Sequence, residues 1–144
     1  MDKKTIVIGS DHGGFHLKEK IKSFLEKENY TVKDFGTFSC ESTDYPVIAK
    51  EVASAVANKE FNKGILICGS GVGVSICANK IKGIRAVVCS DTCSAKYSRL
   101  HNDSNILCIG ERIVGEELAF DICKIWLNTD FEAGRHLKRI NMIE

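Results

Sequence analysis

The sequence predicts an α/β fold: a single domain built on a doubly wound, five-stranded parallel sheet (Rossmann-like, order 2-1-3-4-5) with helices on both faces. Three observations predict it. Short apolar runs alternate five times with stretches of helical periodicity. The runs are apolar on consecutive residues rather than alternate ones, as strands covered on both faces require. A chain of 144 residues that is 44% hydrophobic can close one core.

Taken in order, Ile6-Val7-Ile8 reads as the first strand. Phe15 to Glu28 follows as a helix, with Leu17, Ile21, Phe24 and Leu25 at helical spacing. Tyr30 to Phe35 is a weaker second strand ending at Gly36, and a polar loop runs from Thr37 to Asp44. Pro46, the one proline, suits the first turn of a helix that Val47 to Val56 supplies. Gly64 to Cys68 is the third strand, and Gly69-Ser70-Gly71-Val72-Gly73 opens a helix through Lys80. Ile84 to Cys89 and Ile106 to Ile109 read as strands, each followed by a helix, at Thr92 to Leu100 and Gly115 to Leu127. No repeat or linker divides residues 1–144, and the segment 130–144 carries Arg135, His136, Lys138 and Arg139.

Composition excludes several classes. The formal net charge is +1, so no global field points to nucleic acid or to an acidic membrane. No stretch approaches the roughly 18 apolar residues of a membrane span, and the apolar run at the N-terminus is too short for a signal peptide. A cytoplasmic protein is expected. Seven cysteines, an odd number without C-x-x-C spacing, support neither a disulfide framework nor a zinc knuckle. Most of the thiols read as small buried hydrophobes.

In doubly wound sheets ligands bind beyond the C-terminal ends of the strands, where strand order reverses. Here that point lies between strands one and three. Strand one ends in Ser10-Asp11-His12-Gly13-Gly14 and strand three in Cys68-Gly69-Ser70-Gly71, so two motifs distant in sequence should meet in one crevice. The glycine loop suits close approach of backbone N–H groups to an anion. It is not a Walker loop, because Ser70 stands where lysine is needed, nor a dinucleotide fingerprint, because Val74 replaces the last glycine. A tight turn without a ligand is the plainer alternative. Cys68 is a core residue by its Ile-Leu-Ile-Cys context, or a thiolate stabilised by helix N–H dipoles and able to act as a general base. Asp11 and His12 suit acid–base chemistry, though Asp11 could simply cap a helix. His101-Asn102 alone reads as a polar helix end. Arg135 and Arg139 share a helical face, and paired guanidinium forks suit phosphate.

Ser10 to Gly14, Ile67 to Gly73, Arg99 to Asn105 and Gly134 to Arg139 together resemble, in order and over nearly the whole chain, the ribose-5-phosphate isomerase B family, to which galactose-6-phosphate isomerase subunits are related. The resemblance implies interconversion of ribose 5-phosphate and ribulose 5-phosphate without metal or cofactor. It implies Cys68 as the base that takes the C2 proton, and the N–H groups of Gly69, Gly71, Val72 and Gly73 as an anion hole. Ser70 would assist proton movement between the two oxygens. His101 would open the furanose ring with Asp11 as counterpart, and Asn102 would sit near the reacting oxygens. Arg135 and Arg139 would hold the phosphate, with His12 and Arg112 as further candidates, and Tyr45 would line the substrate. It further implies a homodimer, sometimes paired into a tetramer, whose sites combine Cys68 of one subunit with His101 and the arginines of the other. Val47 departs from the acidic residue usual after Tyr-Pro in this family.

Two alternatives remain at this level. One is an isomerase of a six-carbon sugar phosphate, such as allose or galactose 6-phosphate. The other is a non-catalytic phosphosugar- or nucleotide-binding module with Cys68 as a redox sensor.

Overall fold

The computed structural model describes residues 3–144. The chain runs β1 (Thr5–Ser10), α1 (Phe15–Lys27), β2 (Thr31–Asp34), α2 (Tyr45–Ala57), β3 (Gly64–Cys68), α3 (Val72–Asn79), β4 (Ala86–Val88), α4 (Thr92–Asn102), β5 (Ile106–Gly110), α5 (Glu116–Asn128) and α6 (Arg135–Asn141). A 3-10 turn, His12–Gly14, links β1 to α1. All pairings in the five-stranded sheet are parallel.

Side chains alternate across the sheet, and both faces are dry. Ile6, Ile8, Ile65, Ile67, Leu107 and Ile109 pack against Leu17, Ile21 and Leu25 of α1 and Ile122 and Trp126 of α5. Val7, Leu66, Cys68, Ile106 and Cys108 pack against Ala49, Val52 and Val56 of α2 and Val74 and Ala78 of α3. Each large aliphatic side chain so buried contributes about 1.5–3 kcal/mol. Trp126 is fully buried, and its indole N–H donates to Ser104 Oγ at 2.8 Å, tying α5 to the loop before β5.

Strand order corrects the expectation. It is β2-β1-β3-β5-β4, not 2-1-3-4-5. The reason is burial. β5 is buried at all five positions and takes the place beside β3. β4 has three residues, of which Val88 is 41% exposed, and it forms the edge. The reversal between β1 and β3, which positions the cleft, is unaffected because β1 still pairs with both β2 and β3.

One buried position has no counterpart in the apolar pattern. Lys18, on the inner face of α1, is completely buried. Its ammonium donates to Asp34 Oδ2 at 2.6 Å and to Glu19 Oε2 at 2.8 Å. Asp34 also accepts the N–H of Gly36, so the lysine locks the end of β2 to α1.

Candidate active site

Strands β1 and β3 run in register, Ser10 beside Ile67, so their C-terminal turns lie side by side. The turns touch because they are made of glycine. A Cβ on Gly14 would sit 2.6 Å from the Ile67 carbonyl carbon, a collision with backbone. Gly71 has φ +82°, and a Cβ there would meet Ile109 backbone at 3.0 Å. The close approach opens a cleft of about 320 Å³ lined by Asp11, His12, Gly13, Tyr45, Cys68, Gly69, Ser70, Gly73, Arg112 and Ile113.

Cys68 ends β3 and is 5% exposed, at the floor of this cleft. The Gly71 N–H donates to its sulfur at 3.1 Å. That N–H, at the start of α3, fixes the sulfur at the mouth of the glycine loop. The Val72 N–H is engaged by Ser70 Oγ at 3.2 Å. Two of the N–H groups expected to form an anion hole, those of Gly71 and Val72, thus have partners inside the protein. Gly71 is buried beneath the thiol, and the Val72 side chain is 49% exposed. Neither lines the cleft.

Asp11 is a cap, and it also lies in the cleft. Its Oδ1 caps the 3-10 turn by accepting the Gly14 N–H at 3.1 Å, and its side chain forms part of the cleft wall. His12 is pinned to the polar loop, since its backbone N–H donates to Thr43 Oγ1 and its Nδ1 accepts the Thr43 N–H at 3.1 Å. With Nδ1 an acceptor, the neutral imidazole carries its proton on Nε2 and can donate it to a ligand. Tyr45, first residue of α2, packs against the loop, and a Cβ on Gly73 would come within 2.7 Å of its ring. Arg112 reaches over Gly69 from the β5–α5 turn. Thr43 was not found from sequence, because nothing in its neighbourhood announces a contact 31 residues away.

The other expected residues stand elsewhere. His101, Asn102 and Arg139 line a second cleft of about 240 Å³, together with His136, Ile140 and Ile143. Arg135 and Arg139 are both exposed on α6, one turn apart. The His101 and His136 rings stack with centroids 4.2 Å apart and planes at 14°. His136 is 6% exposed, and its Nε2 has no hydrogen-bond partner among the described residues. An unpartnered buried polar atom costs about 1–3 kcal/mol. Burial, with the nearby His101 and Arg135, pushes the His136 pKa down. The single chain thus separates the thiol, carboxylate and glycine loop from the histidine and arginine group.

A parallel α/β sheet with a thiol, a carboxylate and an imidazole gathered at its switch point defines a small-molecule enzyme with polar substrate chemistry. Residues 6–143 match the family described as Ribose/Galactose Isomerase, and the chain belongs to that family. It is 54% identical to the ribose-5-phosphate isomerase B of Escherichia coli over 140 residues, covering 97% of this chain and 94% of that one. It superimposes on the structure of ribose-5-phosphate isomerase B from Clostridium thermocellum with a TM-score of 0.95 and 53% identity, covering 96% of this chain and 94% of that one. It is also 45% identical to D-erythrulose-4-phosphate isomerase 2 of Mycolicibacterium smegmatis over 130 residues, covering 88% and 86%. The chain is a sugar-phosphate isomerase. No helix among the described residues is long and apolar enough to cross a membrane.

Proposed function

We propose that this chain interconverts ribose 5-phosphate and ribulose 5-phosphate without a metal, at a site completed by a second copy of itself. The observation that carries the reading is the division of the polar groups between two clefts. The Cys68 cleft holds a thiol, a carboxylate and the glycine loop, while His101, Arg135 and Arg139 stand apart from it. A two-fold dimer brings an isologous pair of such surfaces together twice. Tyr45, Val47, Val72 and Ile76, exposed on α2 and α3, offer apolar surface for that contact.

In the proposed reaction His101 and Asp11 open the furanose, giving the free aldehyde. The Cys68 thiolate takes the proton from C2, and the electron pair moves into the C1–C2 bond as negative charge develops on O1. The remaining loop N–H groups meet that charge, and such preorganised donors are worth about 2.7–4 kcal/mol each in comparable sites. Ser70 passes the O2 proton to O1, and Cys68 returns its proton to C1 to give the ketose. Arg135 and Arg139 of the 130–144 segment, with Arg112 and His12 Nε2, hold the phosphate, and Asn102 and Tyr45 flank the sugar.

Conversion of ribose 5-phosphate in EDTA tests the reaction, with Cys68→Ala as the inactive control. Mixing Cys68→Ala with His101→Asn tests the shared site. Hybrid dimers contain one intact site, so random exchange should restore about a quarter of wild-type activity. No restoration would place both residues in one subunit's site. The relative named for erythrulose 4-phosphate makes sugar length the finer question. Comparing kcat/KM for four-, five- and six-carbon phosphates answers it, and a preference for another length would overturn the pentose assignment.

A further inference from the structure

We propose that His101, Glu132 and His136 form a zinc-class divalent metal site whose occupation removes His101 from service, making the ion an inhibitor of the enzyme. The binding part stands on geometry alone, and the inhibition rests on the ring-opening role proposed above for His101.

The three side chains converge from α4, the α5–α6 loop and α6, with one ligand atom of each lying within 4.8 Å of the others. No sequence spacing announces the set, since His101 is distant from the Glu132–His136 pair and only folding joins them. The independent observation is the state of His136. It is almost wholly buried, yet Nε2 has no hydrogen-bond partner among the described residues, and the Glu132 Oε1 carboxylate oxygen stands 3.7 Å away. A ring nitrogen kept dry and unsatisfied beside a carboxylate and a second imidazole is a ready ligand. Two imidazoles and one carboxylate are the donor set of three-ligand zinc sites, with the fourth position open to water or a substrate oxygen. Imidazole donors select zinc, copper or nickel over magnesium and calcium.

Tetrahedral zinc with bonds of about 2.0–2.1 Å needs donors about 3.3 Å apart. Closing to that separation takes side-chain rotation. The stacked rings direct their in-plane lone pairs side by side, so one imidazole must turn to meet the ion. His101 is the less buried of the two, held besides His136 by the Tyr97 ring at 5.1 Å, and is the one to turn. Binding therefore unstacks His101 and ties its imidazole to the ion, away from the sugar that ring opening needs it to reach. Arg135 and Arg139 oppose a cation, and the Glu132 carboxylate offsets them in part.

The full-length protein, freed of EDTA, is titrated with Co2+ and followed by visible absorption, then assayed with Zn2+. One Co2+ per chain is expected, with weak ligand-field bands and no intense near-ultraviolet thiolate band. Loss of an outer partner of a metal ligand costs about 10–100-fold in affinity. Glu132→Gln and His136→Gln should therefore weaken binding by at least about tenfold and shift Zn2+ inhibition equally. Glu132 is exposed, so Glu132→Gln leaves fold and basal turnover intact even if His136→Gln does not fold. Equal affinity in wild type and Glu132→Gln, a thiolate band from Cys68, or matching inhibition by Mg2+ would overturn the site. Cobalt bound at these residues without Zn2+ inhibition would overturn the blocking role. A protein inactive on ribose 5-phosphate from the start would instead sink the ribose 5-phosphate assignment, while the cobalt spectrum still decides the site.

Discussion

The most instructive residue contact is between Gly73 and Tyr45. The tyrosine ring occupies the space a Cβ on Gly73 would fill, at 2.7 Å. Gly73→Ala must push the ring aside, and Tyr45 is 40% exposed, so it has room to swing. Stability should change by less than about 1 kcal/mol. If Tyr45 lines the sugar, KM rises by up to about tenfold, or about 1.4 kcal/mol, with kcat little altered. Steady-state kinetics and a urea melt check the two halves of this prediction. An unchanged KM would remove Tyr45 from the substrate wall. Cys68, Asp11 and Ser70 were legible because their chemistry sits beside glycines at strand ends. His136 was not, although its neighbours Arg135 and Arg139 were, because nothing local says that its ring faces His101.

At the scale of elements, α1 shows how long-range contacts complete what local sequence begins. Gly14 at its N-cap offers no side chain, so the first turn lacks a local acceptor. Glu111, from the turn after β5, supplies one, accepting the Leu17 N–H at 2.7 Å. Glu111→Ala should lower stability by about 1–3 kcal/mol by stranding that donor. Glu111→Gln retains an oxygen acceptor and should recover most of the loss in a urea melt. Strands β1, β3 and β5 were readable because each carries consecutive apolar residues that are covered on both faces. The places of β4 and β5 were not, because both are short apolar runs and only the neighbours they pack against distinguish centre from edge. The cap from Glu111 and the burial of Lys18 were equally invisible, since their partners lie on other elements.

The whole molecule carries opposing ionisations in the alkaline range. Burial pushes the Cys89 and Cys123 thiols up to about 12, and Cys108 well above its ordinary value of 9.0. These thiols keep their protons in the fold. Their stabilising effect is complete below pH 9.0 and is lost as the pH rises toward their folded values. Lys63 runs the other way. Burial, aided by Arg99, lowers it from 10.5 to about 8, so the penalty on its charge is relieved between those values and stability rises there. From pH 9 to 10.5 three thiols oppose one lysine, and the urea midpoint should fall. Cys123→Ala should fall less steeply, by about 1.4 kcal/mol per pH unit. A parallel decline in wild type and variant would show that this thiol ionises freely in the fold.

The placing of β4 at the rim also bears on how the protein avoids polymerising with itself. The two outer strands are the shortest of the sheet, four residues in β2 and three in β4. Arg85, just before β4, is bound by its guanidinium to the Asp103 and Glu144 carboxylates. A short, charge-guarded border offers little template for another chain to add a strand. Replacing that guard by Arg85→Val would join Ile84 to Ala86-Val87-Val88-Cys89 in six unbroken apolar residues, the kind of segment that seeds fibrils. On heating, the variant should scatter light and bind an amyloid dye below the temperature at which the parent protein does so.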